Sequence, residues 1–63
     1  MRYELDKIIV RIAKNGYVVE AKYESTEMVD GWHPTVEEEF ITMNIEGIKG
    51  YLDNILRDRV RDV

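Results

Sequence analysis

The sequence predicts an α+β fold in the order βββα: a three-stranded antiparallel sheet, built from a β-hairpin and a third strand, packed on one C-terminal helix. Three observations predict it. Asn15-Gly16 separates two runs of alternating apolar residues, the signature of a hairpin closed by a type I′ turn. A further strand-like stretch spans Val36 to Met43, with Val36 and Phe40 on one face of the two-residue period. Ile45, Ile48, Leu52, Ile55 and Leu56 then recur at helical spacing behind Asn44, and asparagine is a favoured N-cap.

The hairpin is expected over about residues 5–25. A two-residue Asn-Gly turn sets Lys14 opposite Tyr17, Ile12 opposite Val19, Val10 opposite Ala21 and Ile8 opposite Tyr23, all on the core face. On the other face the same register pairs Arg11 with Glu20 and Lys7 with Glu24, both favourable opposite-charge pairs. An acidic loop is expected over about 26–35 and the third strand over about 36–43. Val36 and Phe40 then enter the core, and Ile41 lands on the back of the sheet near Val18. Ile9, Ala13, Val18 and Ile41 are the candidate self-association surface, because one helix covers one face of a sheet only. Scattered small apolar residues on an exposed face are also ordinary, so both readings stay open.

The helix is expected over about 45–60. Met43 and Ile48 hold the N′ and N4 positions of a hydrophobic staple, and Tyr51 lies at the margin of the apolar stripe. Arg57, Arg59 and Arg61 crowd the far end, where positive charge suits the helix dipole. Gly47 and Gly50 lie off the stripe, each about 1 kcal/mol worse than alanine in a helix. An irregular first turn, close packing by another chain, or a tolerated cost would each account for them.

Sixty-three residues make one domain, 1–63, with a small core whose stability is marginal without help. The absence of cysteine excludes disulfides and thiolate metal sites, so self-association is the expected support and a homodimer the expected state. Charges interrupt every apolar run at the N-terminus, so neither a signal peptide nor a membrane span is read there. The expected location is the cytoplasm.

The net charge of −4 is unevenly spread. Residues 1–23 carry five basic and three acidic side chains, and residues 47–63 four basic and three acidic. Residues 24–46 carry seven acids, Glu24, Glu27, Asp30, Glu37, Glu38, Glu39 and Glu46, with no lysine or arginine. Such a segment repels nucleic acid and steers toward basic protein surfaces. Acids also guard an edge strand against aggregation, which accounts for some of the glutamates without a partner. Trp32, the only tryptophan, stands inside this segment beside His33 and Pro34. It either folds back to cap the open end of the core or anchors an interface. Glu27, Asp30, Trp32, His33, Glu37, Glu38 and Glu39 are the candidate partner-binding face.

No residue pattern points to catalysis. Asp30, His33 and Glu37 could be written as a metal site or an acid-base pair, but a loop running into a strand gives no reason for them to converge. Ser25 has no nucleophile context, and Gly47 and Gly50 lack the lysine and threonine of a phosphate loop. The chain is expected not to be an enzyme and to use no cofactor.

The stretches "NGYVVEAKYES", "EEEFITM" and "IEGIKGYLDNIL", spanning residues 8–56 with the acidic loop, resemble in outline very small phage and prophage proteins. The arrangement is similar to that of short acidic phage inhibitors of host DNA enzymes, including the uracil-DNA glycosylase inhibitors, whose dimers imitate DNA. The resemblance is one of topology, so no functional residue is carried over from it. The resemblance implies a phage or mobile-element context and no particular target; the acidic segment with Trp32 inside it points to a protein that binds a basic host protein, and inhibition is the role such phage proteins have. The alternative is an assembly subunit that self-associates through the back of its sheet.

Overall fold

A computed structural model describes residues 1–62. Its elements are β1 (Arg2–Ala13), β2 (Gly16–Ser25), β3 (Thr35–Thr42), α1 (Ile45–Arg57) and β4 (Val60–Asp62). The fold is α+β as expected, but the antiparallel sheet has four strands, in the order β3-β2-β1-β4. The additional strand pairs Arg2, Tyr3 and Glu4 of β1 with Asp62, Arg61 and Val60. The helix therefore ends at Arg57 rather than near residue 60. Three residues of mixed charge carry no strand periodicity. What holds them is the available edge of β1, including a bond from the Leu5 amide to the Arg59 carbonyl at 2.8 Å.

The hairpin forms, but two residues away from the register expected for an Asn15-Gly16 turn. Ala13 faces Gly16, Ile12 faces Tyr17, Val10 faces Val19 and Ile8 faces Ala21, leaving Lys14 and Asn15 at the tip. Neither tip residue has the positive φ that a type I′ turn requires. Gly16 serves instead where β2 meets the end of β3. Its φ is +155°, and a Cβ there would lie 2.6 Å from the Thr42 carbonyl oxygen. A shift of two residues preserves every face, so the expected core face survives the wrong register. The Arg11–Glu20 bridge survives too, as a diagonal contact at 2.8 Å, whereas Lys7 now faces Lys22. A bulge between Leu5 and Lys7 keeps Tyr3 and Leu5 on the same face as Ile8, Val10 and Ile12, because one extra residue resets the alternation.

Val19, Ala21, Tyr23 and Ile55 are fully buried. Tyr3, Leu5, Ile8, Val36, Tyr51 and Leu52 pack around the cluster of Ala21, Tyr23 and Ile55. The helix begins as the sequence predicts: the Asn44 side chain accepts from the Gly47 amide at 2.8 Å, satisfying one of the four orphan amides of the first turn. Met43 remains exposed and contributes no buried staple. Gly47 is explained within the chain, since a Cβ there would sit 2.9 Å from Thr42 Cβ and closer still to its hydroxyl. Gly50 has open space around it. Tyr51 stacks on Phe40 with centroids 4.7 Å apart, fixing this flank of the helix over β3.

The helix crosses the sheet diagonally, from the end of β3 to the level of Leu5, where Arg59 meets β1. Val10 and Ile12 share the core face of β1 but lie outside that diagonal. They are exposed, Ile12 to 85%, where the sequence places both in the core.

Candidate functional site: an acidic tryptophan loop

Between β2 and β3 the chain makes a second, miniature hairpin. Val29 and Trp32 exchange both backbone bonds, Val29 amide to Trp32 carbonyl at 2.7 Å and Trp32 amide to Val29 carbonyl at 3.1 Å. The two residues between them, Asp30 and Gly31, have φ of +51° and +86°. Positive φ at both central positions is the type I′ geometry that Asp-Gly favours. Within the acidic loop expected here, the chain is locally built. It is tethered to the sheet by the Ser25 amide bonding to the Pro34 carbonyl at 2.7 Å, the Thr26 amide bonding to the Arg2 carbonyl at 3.0 Å, and the Ser25 hydroxyl accepting from the Glu27 amide at 3.0 Å.

Trp32 does not cap the core. It is 57% exposed at the hairpin tip, beside exposed Val29 and Met28. The end of the core that an indole could have filled is already closed. Tyr23 is fully buried there and Ser25 nearly so, Tyr3 packs against them, and the Arg61 guanidinium lies over the Tyr23 ring at 5.0 Å from its centroid. His33 is half-buried with Nδ1 3.0 Å from the Ser25 carbonyl oxygen. It anchors the base of the loop.

The seven acids of the middle segment do not form one face. Strand alternation divides the three glutamates of β3: Glu37 and Glu39 lie on the back of the sheet, opposite Lys22 and Glu20, and Glu38 lies on the helix side opposite Ala21. Glu38 Oε1 accepts from Arg61 Nε at 2.6 Å, and Oε2 accepts from the hydroxyls of Tyr51 and Tyr23 at 3.3 and 3.4 Å. The Arg61 hydrogen bond holds the Glu38 carboxyl below the ordinary carboxylate range, against a smaller opposing effect of burial. Burial first, then the neighbouring Glu38 charge, pushes the Tyr23 and Tyr51 hydroxyls up. This cluster ties β2, β3, α1 and β4 together and is removed from the candidate binding face.

Two further acids are paired, Glu37 with Lys22 at 3.4 Å and Glu46 with Lys49 at 3.8 Å. Among the described residues Glu24, Glu27, Asp30 and Glu39 have no ion-pair partner. Glu24 is the penultimate residue of β2, and Glu27 and Asp30 follow it on the Trp32 loop. The unpaired acids thus concentrate at the tryptophan end, with Glu39 apart on the back of β3.

The back of the sheet carries Val18 opposite Ile41, as expected, with Ile41 68% exposed. Ala13 is exposed beside them, whereas Ile9 is half-buried and faces Glu20. Arg11 stands between Ile9 and Ala13 on that face and bridges to Glu20, so charge divides the four residues. Among the described residues no enclosed pocket and no cluster of three or more potential metal ligands is present. Nor, among the described residues, is any helix long and apolar enough to cross a membrane. No protein-family model, no curated protein and no solved structure matches this chain.

Proposed function

We propose that this chain is a small acidic interaction protein whose Trp32 hairpin docks on a basic protein surface. The reading rests on one observation: an exposed tryptophan at the tip of a backbone-locked type I′ turn, among Glu24, Glu27 and Asp30, which no basic side chain neutralises. A stiff tip bearing an aromatic loses little conformational entropy on docking, and tryptophan is enriched at interface hot spots. Unpaired carboxylates around it raise encounter rates with positive surfaces and discriminate against negative ones. If the surface recognised is a nucleic-acid groove, occupancy by the loop blocks it, which is the inhibitory role that the phage-protein resemblance implies.

The test is selection of binders from a library of displayed random peptides against the immobilised protein. The reading expects sequences rich in lysine and arginine with an apolar residue, whose affinity falls about tenfold or more on Trp32→Ala and also falls on Glu27→Lys. Acidic or charge-neutral binders, or binders indifferent to Trp32→Ala, refute it. The assembly-subunit alternative has Val18, Ile41 and Ala13 in its favour, with the Arg11–Glu20 bridge standing against a continuous patch.

A further inference from the structure

The outer edge of β1 is only partly covered. β4 pairs with Arg2, Tyr3 and Glu4, and the Leu5 amide reaches Arg59. From Lys7 to Ala13 no strand lies on that side among the described residues. Every second residue of such an edge turns its N–H and C=O outward, a template for another strand. The segment "KIIVRIA" has no proline, and its only bulge lies at its beginning. Its front face exposes Val10 and Ile12. The helix adds to the same corner. Gly47 and Tyr51 mark the flank that packs on β3, so Ile45 and Leu56 on the opposite flank turn toward β1, and both are exposed.

We infer that two copies of this chain join through the β1 edges, antiparallel and about a two-fold axis, with Val10 opposite Val10. The sequence of the edge selects both partner and register. Opposite residues of an antiparallel pair share a face, so a two-fold axis must centre on one residue. Centring on Arg11 stacks guanidinium on guanidinium, and centring on Ile9 sets Arg11 against Lys7, both unfavourable. Centring on Ile8 drives the strand into the bulge and β4, and centring on Ile12 leaves little edge to pair. Centring on Val10 sets Ile8 against Ile12 on the front, with Ile9 against Arg11 and Lys7 against Ala13 on the back. No like charges then face each other.

The result is an eight-stranded sheet with both helices on one face. The Ile45 and Leu56 flanks of the two helices face each other over a seam of Ile8, Val10 and Ile12. A core of only four fully buried apolar residues among those described gains a second shell, the support a chain this short needs. The two Trp32 loops, at the far end of β1 from its hairpin turn, emerge at opposite ends of the dimer.

Single cysteines test this on the cysteine-free background. Val10→Cys should form an interchain disulfide under mild oxidation, because opposed Cα atoms of about 4.5–5.5 Å suit the bond. Ile41→Cys, on the back of the sheet, should cross-link only at the rate of random collision. In sedimentation equilibrium the wild type should be a dimer. Ile12→Lys, at a site already exposed in the monomer, should keep the circular dichroism spectrum and raise the dissociation constant by about tenfold or more. A wild type that stays monomeric into the millimolar range overturns the inference. Efficient cross-linking of the Ile41→Cys variant but not of the Val10→Cys variant overturns it in favour of the sheet back. A dimer indifferent to Ile12→Lys, or a free edge occupied by a foreign peptide while the chain stays monomeric, also overturns it.

Discussion

Replacing Glu38 by glutamine separates the glutamate that builds the fold from those that face outward. Glu38 accepts two bonds from Arg61, Nε at 2.6 Å and Nη2 at 3.3 Å, and one each from the Tyr23 and Tyr51 hydroxyls. The side chains of Glu38 and Arg61 are 35% and 29% exposed, so solvent screens part of their attraction. A hydrogen bond to a charged group contributes about 1.5–3 kcal/mol when well shielded. Allowing for screening and for the hydrogen bonds glutamine can still make, Glu38→Gln should cost about 1–2 kcal/mol at neutral pH. In a domain of this size that is roughly 4–8 °C of Tm per kcal/mol.

The pH dependence supplies a second reading. The folded-state pKa of Glu38 is lowered, so its contribution is complete above the ordinary carboxylate range and is lost as pH falls through the lowered folded value. The gap between wild type and Glu38→Gln should therefore close on acidification. Glu39→Gln, at an exposed site with no ion pair, should stay within about 0.5 kcal/mol of wild type throughout. Urea unfolding followed by far-UV circular dichroism measures all three. Equal stability of Glu38→Gln and wild type at neutral pH, or a gap that persists at acid pH, refutes the role of Glu38.

Two other perturbations test parts of the frame. Gly50→Ala, with open space around it, should stabilise by about 0.5–1 kcal/mol. Gly47→Ala should destabilise despite the same propensity gain, because the new methyl meets Thr42, and Thr42→Ala should restore part of the loss in a double-mutant cycle read by thermal melts. In the loop, Gly31→Ala places a Cβ at φ +86° and should cost about 1 kcal/mol. Amide exchange at Val29 and Trp32 should speed up selectively, while Asp30→Asn, also competent at positive φ, should leave it unchanged.

Much of this frame was legible because its signals are local. Asn44 announced the helix start, and the alternation of Val36 and Phe40 announced the inner face of β3. The division of the acids was legible by the same rule, since the period that buries Val36 and Phe40 carries Glu38 in with them. A single face holding Glu37, Glu38 and Glu39 together is incompatible with that period. Asp30-Gly31 has the same type I′ chemistry as Asn15-Gly16, yet only the former uses it. At Gly16 the chain is packed so closely on the Thr42 backbone that a Cβ would not fit, a contact with a strand distant in sequence that the local Asn-Gly signal does not contain. β4 was not legible, because Val60, Arg61 and Asp62 become a strand only through the edge they meet. Nor was the exposure of Trp32, which depends on Arg61 and Tyr23 having already closed that end of the core.

The central claim, an accessible indole in an uncompensated negative field, can be tested directly because Trp32 is the only tryptophan. Its fluorescence should be quenched by caesium more, and by iodide less, than that of N-acetyl-tryptophanamide under the same conditions. The asymmetry should collapse as salt shortens the Debye length. Shielding from both ions would place the indole in the core, and equal relative access by both would remove the acidic field; either result contradicts the account.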